Sequence, residues 1–145
     1  MYSFVLQDWT TVGGAAGSTV IQGEKDWLDM SPFQDIVAWI DVRNATTGNP
    51  PSLKLETAPS KDESLFMYMG SGTGITMVAS SPPDYTPTVV QYLMGSATVP
   101  VAECLRWKII GGAVTWQATF RILVAANAPG LQPEDENRQL LMMGR

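Results

Sequence analysis

From Val114 to Val124 every second side chain is apolar: Val114, Trp116, Ala118, Phe120, Ile122 and Val124 alternate with Thr115, Gln117, Thr119, Arg121 and Leu123. Side chains on an extended strand point alternately to the two faces of a sheet, so this period of two predicts a long, half-buried strand. Just upstream, Leu105, Trp107 and Ile109 alternate with Cys104, Arg106 and Lys108. The two runs meet around Gly111-Gly112, a tight glycine turn that predicts a hairpin over 103–125. A third run sets Ile36, Ala38, Ile40 and Val42 against Val37, Trp39, Asp41 and Arg43. Trp39 on the second face implies that this face is at least partly covered. Leu53, Leu55 and Thr57 against Lys54 and Glu56 give a fourth strand, set off by the turn chemistry of 44–51.

Shorter strands are expected at 19–22, 26–30, 65–69, 75–79 and 89–94, each bounded by Gly, Pro or Ser. Tyr2, Phe4 and Leu6 also alternate, as a first strand of the domain or a strand lent to another chain. Many short strands with uneven loops, and no amphipathic helix before residue 131, predict an all-β fold: an antiparallel, jelly-roll-like β-sandwich. A chain of 145 residues fits one domain. The expected division is a sandwich over 1–130 and a C-terminal arm or short helix over 131–145, where Pro133, Glu134, Asp135 and Glu136 stand as at a helix start. Leu140, Leu141, Met142 and Met143 form an apolar cluster in that arm. It either folds back on its own sheet or serves as a partner-binding segment on a neighbouring subunit.

Composition narrows the chemistry. The chain has no histidine, which removes Ser-His-Asp and Cys-His catalysis and the common zinc sites. Cys104 is the one cysteine, so there is no intrachain disulfide, and no base stands ready to make it a nucleophile. Carboxylate pairs exist on paper (Asp26 with Asp29, Asp35 with Asp41, Asp62 with Glu63, and Glu56 on a strand), but no spacing singles one out for acid–base work. Residues 24–29 lack the ladder of a calcium loop. The glycine run 70–74 precedes β-like sequence and has no following lysine, so it reads as a turn rather than a phosphate loop. The expectation is no catalytic residue, no metal and no cofactor. A net charge of -5 with scattered lysines and arginines argues against nucleic acid. No apolar run approaches the roughly 20 residues of a membrane span, and Met1 to Leu6 has no basic leader, so a protein made in the cytoplasm is expected.

The tryptophans leave one binding option. Trp107 and Trp116 lie on apolar strand faces and are expected in the core, whereas Trp9, Trp27 and Tyr85 sit near loops and could stack sugars. Met67, Met69, Met77 and Met94 read as core filler.

The segment Trp27-Leu28-Asp29-Met30-Ser31-Pro32-Phe33, the strand 36–42, Leu53-Lys54-Leu55-Glu56-Thr57-Ala58-Pro59, and Leu105-Arg106-Trp107-Lys108 with Phe120-Arg121-Ile122 together resemble small β-sandwich virion proteins of tailed phages, of the head-decoration or accessory kind. The pattern is also similar to discoidin-like and carbohydrate-binding jelly rolls. The first resemblance implies a non-enzymatic structural protein that joins other virion subunits, as a homo-oligomer, through loops and termini. The second implies a carbohydrate-binding module. Charged residues are only 16% of the chain, against about 25% in ordinary domains, and interface cores are depleted of charge, which favours the first.

Overall fold

The computed structural model describes residues 2–70, 72–79 and 99–128, and the strand at 88–92 through its backbone. Ten strands follow in order: β1 (Tyr2–Gly14), β2 (Thr19–Ile21), β3 (Leu28–Asp29), β4 (Asp35–Ala45), β5 (Ser52–Ala58), β6 (Met67–Tyr68), β7 (Ile75–Thr76), β8 (Thr88–Tyr92), β9 (Cys104–Ile110) and β10 (Trp116–Asn127). The helical elements among the described residues are two 3-10 turns, Glu24–Asp26 and Glu63–Leu65.

The strands form two sheets. Sheet A has the order β1-β10-β4-β8; sheet B runs β2-β9-β5-β6, with β3 beside β2 on β9 and β7 beside β6 on β5. Every pairing is antiparallel. Counting β2 with β3 and β6 with β7 as broken single strands, each sheet is four rows wide. Chain crossings from sheet to sheet then give the jelly roll, an antiparallel sandwich whose strands alternate between layers. The expected fold class is therefore the observed one.

The alternating positions meet in the middle. Ile36, Ile40, Leu53, Leu55, Leu105, Ile109, Phe120 and Ile122 are all at most 1% exposed. Trp107 and Phe120 pack edge to face across the layers at 5.2 Å. Trp107 and Trp116 are buried as the alternation requires, and so are Met69 and Met77. Met67 departs from the expectation: it is 59% exposed, on the outer row of sheet B. Val114 is also exposed, because β10 begins only at Trp116.

The expected hairpin over 103–125 is not formed. β9 lies in sheet B between β5 and the β2/β3 row, whereas β10 lies in sheet A between β1 and β4. The glycines at 111 and 112 serve the crossing instead. A Cβ on Gly111 would fall 2.1 Å from the Trp116 ring, and one on Gly112 would fall 2.8 Å from the Asn49 carbonyl. Trp116 thus plugs the end of the sandwich, its Nε1 donating to Ser18 Oγ at 2.9 Å, while the Gly111 amide donates to the Ser18 carbonyl at 2.8 Å. Tyr2, Phe4 and Leu6 do belong to a first strand of the chain's own sandwich, pairing with β10 from Tyr2↔Ala126 onward. That strand runs on to Gly14 through two register shifts, a length that its irregular alternation conceals.

Candidate functional site

The two sheets treat their outward faces differently. On sheet B, the cross-strand neighbours Glu56 and Arg106 point away from the core yet are only 6% and 3% exposed. Arg106 Nε donates to Glu56 Oε1 at 3.0 Å, and its Nη2 lies 3.0 Å from the same oxygen. Their cover comes from the two 3-10 turns. Trp27 follows the first and Phe66 the second; the rings meet edge to face at 4.7 Å. The Arg106 guanidinium lies 3.7 Å from the Phe66 centroid and 5.1 Å from that of Trp27. Trp27 is held further by its Nε1, which donates to the Gln22 carbonyl at 2.9 Å.

Sheet A has no such cover among the described residues. Register places Val5, Leu123 and Trp39 in one outward row across β1, β10 and β4. Val5 is 56% exposed, and Trp39 and Leu123 are half-buried. A shallow, predominantly apolar trough of about 430 Å³ lies along this row, lined by residues 3–5 of β1, 123–125 of β10, and Trp39. The cover expected over the Trp39 face is not found among the described residues; Trp39 instead lines this trough, half-buried.

Beside the trough, Trp9 stands 41% exposed with the guanidinium of Arg121 5.0 Å and that of Arg43 5.5 Å from its ring centroid. Both cations share one carboxylate oxygen: Arg43 Nη2 lies 3.2 Å and Arg121 Nε 3.3 Å from Asp41 Oδ2. Asp41 is only 4% exposed, and its Oδ1 is buried with no hydrogen-bond partner. A register shift in the β4–β10 pairing falls at Arg43, between Val42↔Phe120 and Asn44↔Thr119. The alternation already puts Asp41 and Arg43 on one face of β4, but only register unites them with Trp9 and Arg121.

The sugar-platform candidates are not brought together. Trp9 is on the outer face of sheet A, Trp27 is over sheet B, and Tyr85 lies outside the described residues, as do Met94 and the partner-binding candidates Leu140, Leu141, Met142 and Met143. Of the carboxylates, Glu56 and Glu63 both meet Arg106, Glu63 Oε1 lying 3.8 Å from its Nη1. Asp29 accepts from the amide and hydroxyl of Ser31, and Asp62 from those of Ser64. These hydrogen bonds hold both carboxyls below the usual carboxylate range. Burial, and secondarily Glu103, pushes the Cys104 thiol up, so it rests in its protonated, unreactive form. Among the described residues, no three of His, Cys, Asp and Glu gather as a metal site, and no helix is long and apolar enough to cross a membrane.

What fold and face define together is a jelly-roll β-sandwich with one sheet sealed by its own loops and the other, among the described residues, without such cover. Comparison with solved structures finds the same fold in the crystal structure of the infectious bursal disease virus VP2 subviral particle, with a TM-score of 0.56 over 92% of this chain at 9% identity. Structures of the Gx and Gt strains of the same virus match over 92% of this chain at TM-scores of 0.53 and 0.51, with 12% and 11% identity. The chain covers 34% of the length of each of these neighbours. No family model matches the sequence, and no curated protein does.

Proposed function

We propose that this chain is a non-enzymatic structural protein that assembles with other subunits into a virion or virion-like particle, as a capsid decoration or minor virion component of the phage kind. The observation that carries the proposal is the likeness of its sandwich, across 92% of the chain, to a viral protein that forms a subviral particle. The open apolar face of sheet A supports it, because uncovered apolar patches on a folded domain mark contact surfaces. In this reading the chain is made in the cytoplasm, acts as a homo-oligomer without nucleic acid, membrane or cofactor, and uses Leu140, Leu141, Met142 and Met143 as a contact arm beyond the sandwich of 1–130. The test is the solution mass, by size exclusion with light scattering, of the full chain and of a version ending at Gly130. The shortened chain should keep its cooperative unfolding but fall from a defined oligomer to a monomer. An oligomer unchanged by the cut would remove the arm from the assembly.

A second reading, a carbohydrate-binding module, rests on Trp9, whose exposed ring and two flanking guanidiniums suit an acidic sugar. Under that reading Trp9→Ala abolishes retention on a glycan array without changing oligomer size. Trp27→Ala would separate the two rings, since Trp27 is already packed on Phe66.

A further inference from the structure

We infer that the trough on sheet A is the receptor for residues Leu140 to Met143 of a neighbouring copy, so that one chain carries both halves of the contact. This rests on the assembly reading above and names the site where assembly occurs. The first support is chemical match. The trough is a mostly apolar concavity of about 430 Å³ on an outward sheet face, and 140–143 is the one contiguous apolar cluster beyond the sandwich, preceded by the polar stretch Glu134 to Gln139.

The second support is reach. β10 ends at Asn127, two residues beyond Ala125 on the trough wall, so the chain leaves the sheet beside its own trough. A return to that trough needs only a short turn. The twelve Cα steps from Ala128 to Leu140 span at most about 40 Å, whereas the four strands of sheet A are about 14 Å across at their usual spacing. The segment is therefore long enough to pass over the edge of its own sheet and extend outward toward a second copy. A donor segment and an acceptor trough at different places on one chain can be exchanged reciprocally in a two-fold dimer or linked head to tail, which closes rings where the rotation permits.

Disulfide trapping in the full chain tests this. Leu123→Cys, on the trough wall, and Leu141→Cys are made as separate single variants, mixed and oxidised, and the linked peptides are identified by mass spectrometry. Thr76→Cys, exposed on the outer face of sheet B, replaces Leu123→Cys in the control mixture. A 123–141 link between chains, forming at least tenfold faster than the 76–141 link, is the expected result. A rate no higher than the control overturns the trough as receptor. So does a double variant, Leu123→Cys with Leu141→Cys, that links only within one chain, which would show the segment covering its own sheet. If the unsubstituted chain is oligomeric while either of these results holds, the trough falls and the assembly role stands.

Discussion

Sheets A and B are built from the same alternation and share one core, yet their outer faces are opposites. Sheet B interrupts two of its rows, and residues beside its 3-10 turns, Trp27 and Phe66, lie down over an Arg106–Glu56 pair that is almost wholly withdrawn from water. Sheet A has long strands, β1 and β10 among them, that leave Val5, Leu123, Trp39 and Trp9 facing outward with no loop over them in the described residues. The contrast teaches where to look for a partner. A face that spends loop and aromatic residues on its own cover is finished, whereas an apolar face left without one is available for contact.

The largest effect should come from breaking the sealed side. Arg106→Ala leaves Glu56 buried with only Lys108, 3.9 Å from its Oε2, as a cation, and loss of one member of a buried pair costs about 3–5 kcal/mol. Urea unfolding should show this loss for Arg106→Ala and for Glu56→Ala, but a much smaller one for Glu56→Leu combined with Arg106→Met, which removes both charges together. Equal losses in the single and double variants would mean that the pair contributes packing rather than charge compensation.

The next effect sharpens the contrast ring by ring. Phe66→Ala removes half of the aromatic cover and a desolvated cation–π contact, for which about 2 kcal/mol is expected. Trp9→Ala on the open side removes contacts that are already exposed and should cost about 0.5–1 kcal/mol. If the two substitutions destabilise the protein equally, the faces are not as different as the geometry implies.

Much of this was legible in the sequence, for a definite reason. Alternation reports which side of a strand is apolar, so the core residues from Ile36 to Val42 and from Trp116 to Val124 follow from the residue pattern alone. It does not report which sheet a strand joins. The 103–125 segment therefore reads as a hairpin, when Gly111 and Gly112 instead give room to the Trp116 ring and the Asn49 carbonyl at a crossing between layers. Burial of outward polar residues was equally hidden. Arg106 and Glu56 occupy polar positions in a regular pattern, and only the loops carrying Trp27 and Phe66 withdraw them from solvent. The candidate face was half visible. Trp39 on the polar side of its strand marks this face as unusual, though as one expected to be covered, and the row Val5–Leu123–Trp39 and the grouping of Trp9 with Arg43 and Arg121 depend on register between strands distant in sequence.

In the proposed assembly, subunits meet through the outer face of sheet A and not the sealed face of sheet B. Solution mass by size exclusion with light scattering measures it most directly, on the unsubstituted chain, Leu123→Glu and Thr76→Glu. Both positions face outward, and neither substitution should change stability by more than about 1 kcal/mol. A defined oligomer is expected for the unsubstituted chain and for Thr76→Glu, and a folded monomer for Leu123→Glu. An oligomer that survives Leu123→Glu but is lost in Thr76→Glu, or a chain that is monomeric throughout, would contradict it.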